Sequence, residues 1–193
     1  RTYSVNYCNV SASTYSGLTS TYKTRIANEC TKTNATLDNY KCYDRLSRLK
    51  IALAQVLSSS EISDTVRIGL GQFSSPTSTS ETSADGVSGR VVYPAVNLSD
   101  VNRENLIGAM VALNAYNGTP SASAYGESGA YFLGANTSGM NNSGYSYSHV
   151  DSRNGNNGYK APVTTAEMAN TCNGQGIYFL TDGIANSSDA TRT

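Results

Sequence analysis

Tryptophan is absent, histidine occurs once, and only 15% of the 193 residues are charged. Each scarcity excludes something. Lys and Arg number 14 and Asp and Glu 14, so the formal net charge is zero. The basic face that grips nucleic acid is therefore missing. No cluster of lysines or arginines is available to hold an anionic membrane surface. No apolar run approaches the ~20 residues needed to span a bilayer. Arg1 to Val10 lacks the apolar core of a signal peptide, so any export signal is expected to lie upstream or to have been removed. The lone His149 and cysteines without a C-x-x-C pair give no Cys/His zinc set.

What is abundant is small, neutral and polar. Ser, Thr, Asn and Gly dominate, with 14 tyrosines. Such a surface suits work outside the cell, and Tyr supplies adaptable contact area at low entropic cost. The four cysteines, Cys8, Cys30, Cys42 and Cys172, are an even set. Two disulfides and an oxidising compartment are expected.

Residues 1–43 show no sustained period and read as a disulfide-held insertion with a short helix near Tyr22 to Glu29. From Asp44 the pattern changes. Leu46, Leu49, Leu53, Val56 and Leu57 recur at helical steps behind Asp44 as N-cap. Residues 65–73 alternate as a strand, and residues 90–96 read as a second, with Pro94 confining it to an edge. An antiparallel hairpin is predicted, its loose tip containing Asp85-Gly86. A helix over 100–116 should turn Val101, Leu106, Met110, Val111 and Leu113 inward and stop at Asn117-Gly118. A helix over 121–133 should present Ala122, Tyr125, Gly129, Phe132 and Leu133 on one face. Residues 134–160 form a polar insertion without period. Gly176 to Leu180 reads as a strand buried on both faces. Helices alternating with buried strands predict an α/β sheet covered on both sides, a partial core over 44–193.

Two short motifs suggest chemistry: Thr119 in Asn117-Gly118-Thr119-Pro120, and Asp182 in Leu180-Thr181-Asp182-Gly183. At the carboxyl edge of an open α/β sheet, a hydroxyl and a carboxylate are hard oxygen ligands suited to Mg²⁺. These motifs, the helix ending Gly129-Ala130-Tyr131-Phe132, and the helix Asp44 to Leu53 resemble the von Willebrand factor A domain of the PilC/PilY group of type IV pilus tip proteins.

The resemblance implies a Rossmann-like fold: a mostly parallel sheet with one antiparallel edge strand and helices on both faces. It also implies a metal-ion-dependent adhesion site in which Thr119 and Asp182 hold Mg²⁺. The family's Asp-x-Ser-x-Ser motif has no match in residues 1–43 and is expected upstream of Arg1. The implied role is adhesion and pilus biogenesis, not catalysis. A host or surface ligand and the minor pilins of the tip would be the partners, on a Gram-negative bacterium. A structural tip plug that binds no metal is the alternative. In the implied fold Cys42 and Cys172 fall at opposite sheet edges, separated by a strand of about six residues at roughly 3.3 Å each. Cys42 is therefore expected to pair with Cys30 rather than Cys8.

Other motifs fall short. Ser128 in Gly126-Glu127-Ser128-Gly129 misses the spacing of a nucleophile elbow. Asp151 to Gly158 places Arg153 and Gly155 where a calcium loop needs oxygen ligands. His149 reads as a solvated loop residue.

Overall fold

Side-chain caps decide where the helices begin. In the computed structural model, which describes residues 6–73, 88–114, 118–170 and 174–181, Asp44 Oδ1 accepts the Ser47 amide at 2.6 Å. That cap opens α3, Arg45–Leu57. Ser99 caps α4, Asp100–Val111, by accepting from the Asn102 amide. Helix α5, Ser121–Leu133, starts behind Pro120 and stops at Gly134, whose φ of 67° is the left-handed ending that a side chain disfavours. Thr164 and Glu167 cap each other reciprocally to open the short helix α6, Thr165–Ala169.

The chain divides into two units, Arg1–Ser59 and Ser60–Thr193. The first contains strand β1 (Tyr7–Val10), helices α1 (Ala12–Ser16) and α2 (Ser20–Glu29), strands β2 (Thr31–Lys32) and β3 (Tyr40–Tyr43), and α3. Its sheet has the order β1-β3-β2, and both pairings are antiparallel. Cys30 and Cys42 form a disulfide across the β2–β3 end, with Cα atoms 4.5 Å apart. This is the pairing expected, but its cause is the antiparallel adjacency of β2 and β3. Tyr40 is buried and packs its ring 4.9 Å from that of Tyr15.

The second unit contains β4 (Arg67–Phe73), β5 (Gly89–Asn97), α4, α5 and α6. Strands β4 and β5 pair antiparallel, from Arg67↔Asn97 to Phe73↔Gly89, with register shifts on either side of Leu70. The hairpin forms as predicted, while Asp85-Gly86 lies outside the described residues. Gly89 admits α5 closely, since a Cβ there would fall 2.7 Å from the Ala124 Cα. Leu98, Leu106, Ile107 and Met110 are buried around α4.

The Rossmann-like expectation is corrected. Both sheets are antiparallel, one of three strands and one of two, so the chain is a small α/β protein without the mostly parallel sheet that the resemblance implied. The central strand expected over 176–181 is not formed. Those residues carry no strand pairing, and Tyr178 is 91% exposed. Phe179 stacks on Phe73 with ring centroids 5.3 Å apart and meets Tyr125 edge on at 6.3 Å. A short apolar run signals burial but does not name its partner strand, and none is paired with it among the described residues.

The helical faces also differ from expectation. Helix α5 buries Ser123, Ala124 and Glu127, while Tyr125 and Leu133 are exposed. Val101 of α4 is likewise exposed, and Ile107 takes an inward place. Residues 134–160 are not structureless. They contribute 3-10 turns at Tyr145–Tyr147 and Val150–Ser152 and a bridge between Arg153 and Tyr159. Tyr145 and Tyr159 pack with Val91 of β5 into a core cluster, edge to face with ring centroids 4.9 Å apart.

Candidate functional site

Ser123 and Glu127 lie four residues apart on α5 and so project from one face. That face is covered by the polar segment after α5, and Glu127 is only 3% exposed. A carboxylate so buried needs donors. Its Oε1 receives them: Thr137 Oγ1 donates at 2.6 Å and the Tyr159 hydroxyl at 2.6 Å. The Ser143 hydroxyl lies 3.4 Å from the same oxygen and 3.0 Å from Thr137 Oγ1. Around Tyr159 the network reaches the strand: its hydroxyl is 2.9 Å from Ser148 Oγ, and that oxygen accepts the Val91 amide at 3.0 Å. Burial, reinforced by the charge and hydrogen bond of Glu127, pushes the Tyr159 phenol well above its ordinary range. Tyr159 is thus a fixed donor.

Glu127 Oε2 is different. It is buried without a hydrogen-bond partner among the described residues, as is Ser123 Oγ. Both residues line a cavity of about 190 Å³ with Gly126, Thr137 and Met140. Met140 is 57% exposed, so its side chain forms an outer wall and the cavity reaches the surface. Neither unpartnered oxygen presents surface to it: Glu127 Oε2 and Ser123 Oγ are both enclosed. Among the described residues, no second carboxylate or imidazole lines the cavity.

A wider groove of about 500 Å³ lies on the same unit, lined by Arg67, Tyr93, Tyr131, Asp151 and Lys160 among others. Tyr131 accepts the Ala95 amide at 2.8 Å, and burial raises its phenol pKa. At one side Arg67 holds Glu167 through a 2.7 Å ion pair.

Of the two metal ligands expected from the sequence, only Thr119 lies within the described residues. Thr119 is half-buried just before α5, its carbonyl accepting the Ser121 amide at 2.9 Å. Asp182 and Cys172 lie outside the described residues. No group of three or more His, Cys, Asp or Glu gathers as a metal cluster among the described residues. Ser128 donates its hydroxyl to the Ala124 carbonyl within α5, a backbone bond rather than a nucleophile's setting. The His149 ring meets Tyr93 edge on at 5.7 Å, and its Nδ1 accepts the Asp151 amide.

On the first unit, Tyr7 and Tyr43 are directly opposite on β1 and β3, and Asn9 is opposite Lys41. Alternation puts all four on one face of the sheet. Lys41 Nζ lies 3.9 Å from the Tyr7 ring centroid and 5.2 Å from that of Tyr43. Tyr7 is 50% exposed. On the other face Cys8 sits opposite Cys42 as an exposed free thiol.

Neither the Tyr7–Lys41–Tyr43 face nor the Glu127 chamber was singled out by sequence reasoning. The alternating Tyr40-Lys41-Cys42-Tyr43 run offered a strand signal that the absence of longer periodicity hid. For Glu127, the one available signal was a lone acidic residue in an otherwise uncharged helix. No protein family model, curated protein or solved structure matches the chain.

Proposed function

We propose that the chain is a contact module of an exported bacterial surface protein, active in adhesion rather than catalysis. The observation that carries this reading is the Tyr7–Lys41–Tyr43 face on a disulfide-braced sheet, with Tyr7 exposed and Lys41 and Tyr43 half-buried. Aromatic rings supply contact area with few rotatable bonds, and a lysine lying against both of them adds polar recognition. The disulfide supports an oxidising compartment. No helix among the described residues is long and apolar enough to cross a membrane. Sequence resemblance to pilus-tip proteins supports a place at a pilus tip or outer membrane, with minor pilins as assembly partners and a host or surface molecule as ligand. The proposal does not carry over the A-domain sheet, and so does not rest on Thr119 and Asp182 converging around Mg²⁺.

The test is retention of the purified chain on host-cell monolayers and matrix-coated surfaces, with and without a chelator. The Tyr7→Ala/Tyr43→Ala double variant is expected to bind at least tenfold more weakly while keeping its circular dichroism spectrum. Loss of binding in chelator, reproduced by Thr119→Ala and Asp182→Ala, would instead favour a Mg²⁺-dependent site. A chain that binds no surface in any condition would favour the structural plug.

A further inference from the structure

We propose that Cys8, Cys42 and Cys30 form a thiol–disulfide exchange row, in which one bridge moves between Cys30–Cys42 and Cys8–Cys42. The inference goes beyond the adhesion reading and is independent of it, because it stands on the opposite face of the first unit's sheet.

The row follows from strand order and register. The sheet runs β1-β3-β2, so β3 has a neighbour on each side. Cys8 of β1 is directly opposite Cys42 of β3. On the other side Thr31 is opposite Lys41. One step along that ladder brings Cys30 opposite Cys42, to which it is bonded. Directly opposite residues project to the same face, so the three side chains share a face with Cys42 in the middle. The Asp44 amide donates to the Asn6 carbonyl at 3.4 Å. By alternation Cys8 and Cys42 are then a hydrogen-bonded pair, with Cα atoms about 5.5 Å apart. The Thr33 amide donates to the Asn39 carbonyl at 2.8 Å, which makes Cys30 and Cys42 a non-hydrogen-bonded pair. Their Cα separation is accordingly shorter, 4.5 Å. A disulfide spans Cα separations of about 4.4–6.8 Å, so Cys42 can be bridged to either neighbour.

Exchange needs a thiolate beside a disulfide, and it needs the attacking and leaving sulfurs on opposite sides of the sulfur attacked. The strand order supplies both. Cys8 is an exposed free thiol, and Cys42 stands between it and Cys30. The Cys8 thiolate attacks Cys42 Sγ. A Cys8–Cys42 bond forms, the Cys42–Cys30 bond breaks, and Cys30 leaves as a thiolate that takes up the proton Cys8 released. No oxidant or reductant is consumed, and the number of disulfides is unchanged. The reverse step restores the first bridge. The shift relocates a covalent tie. Cys30 closes the C-terminal end of α2 and precedes β2, a strand of only 2 residues. That corner is released, while β1 becomes fastened to β3 and a longer loop is closed.

The experiment holds the full 193-residue chain in oxygen-free buffer without added thiol. Acid then stops exchange, N-ethylmaleimide caps the free thiols, and digestion with mass mapping locates the bridges. Two isomers are expected in the monomer. One carries Cys30–Cys42 with Cys8 capped. The other carries Cys8–Cys42 with Cys30 capped, in at least about one molecule in ten, since both separations suit a disulfide. Cys8→Ser should abolish capping of Cys30 and leave Cys30–Cys42 fully formed. Cys30→Ser should carry Cys8–Cys42 and keep its circular dichroism spectrum. Cys172→Ser should retain both isomers, which excludes Cys172 as the attacking thiol. The wild-type map alone decides the matter if Cys30→Ser fails to fold. The assignment would be overturned by absence of capped Cys30, or by equal capping of Cys30 in Cys8→Ser. A Cys8–Cys172 bridge in the wild-type chain, loss of the second isomer in Cys172→Ser, or Cys8–Cys42 bridges confined to disulfide-linked dimers would overturn it equally. So would a folded Cys30→Ser variant in which Cys8 and Cys42 both stay free under air oxidation.

Discussion

Replacing Tyr159 with Phe removes one hydroxyl and nothing else. The ring keeps its place beside Tyr145 and Tyr131, with centroids 4.9 and 5.6 Å away. What is lost is the 2.6 Å bond to Glu127 and the 2.9 Å contact with Ser148. A hydrogen bond to a charged group contributes about 1.5–3 kcal/mol, and its loss leaves the carboxylate short of a donor. The expected cost is about 2 kcal/mol, a large share of a typical 5–15 kcal/mol domain stability. Thr137→Val should cost about as much, because it removes the other 2.6 Å donor. The two losses should be coupled by about 0.5 kcal/mol or more, since both donors serve one oxygen. With no tryptophan in the chain, urea unfolding would be followed by circular dichroism. Hydrogen exchange of the Val91 amide, which donates to Ser148, would report locally. The phenol pKa is raised in the folded state. Its stabilising contribution is therefore complete below the ordinary tyrosine pKa of about 10 and declines as pH rises beyond it, because the unfolded chain ionises first. Tyr159→Phe should flatten that alkaline decline. Losses below about 0.5 kcal/mol in both single variants, or an unchanged alkaline limb, would refute a structural role for this network.

Further outcomes are expected elsewhere. Hydrogen bonds from Arg67, then from the Thr164 amide and hydroxyl, hold the Glu167 carboxyl down to about 2. The tie should be complete above the ordinary glutamate value of about 4.3 and lost as pH falls towards 2, seen as faster amide exchange at the start of α6 and abolished in Glu167→Gln. Removing the Cys30–Cys42 bridge, which spans a separation of 12 residues, should destabilise the first unit by about 3 kcal/mol on the chain-entropy estimate; denaturant titration of Cys30→Ser/Cys42→Ser measures it. Gly89→Val should lower the melting temperature of the second unit, because even a Cβ there falls 2.7 Å from the Ala124 backbone. The same substitution at Gly108, inside α4 where a Cβ meets nothing within 4 Å, should be neutral or slightly stabilising, because valine has the better helix propensity by about 0.3 kcal/mol.

Local signals were legible where a local cause produced them. Asp44 caps α3 because its carboxylate reaches the Ser47 amide three residues on, an interaction contained in the sequence spacing. The α5 boundaries, Ser121–Leu133, follow from Pro120 and Gly134 for the same reason. The hairpin of β4 and β5 was readable from two alternating runs. Sheet direction was not. Parallel order was inferred from alternation of helices with apolar runs, and it failed because the run at 176–181 pairs with no strand among the described residues.

The Glu127 chamber was hidden for a related reason. Hydrophobic periodicity assigns the inward face of a helix to its apolar residues, which on α5 pointed to Tyr125 and Leu133. Yet α5 is covered by a segment rich in Ser, Asn, Gly and Tyr, and such a segment buries polar surface by pairing it. Thr137 and Tyr159 donate to Glu127, Ser148 accepts from β5, and Tyr145 donates to the Gly158 carbonyl at 2.8 Å. A buried network of this kind makes a polar face the energetically sound inward face, provided each group finds a partner. Where groups find none among the described residues, as at Glu127 Oε2 and Ser123 Oγ, the desolvation cost stays unmet and subtracts from the stability of the network. Composition that looked like mere loop therefore supplies two core tyrosines, Tyr145 and Tyr159, and the donors that make a polar helix face burial-competent.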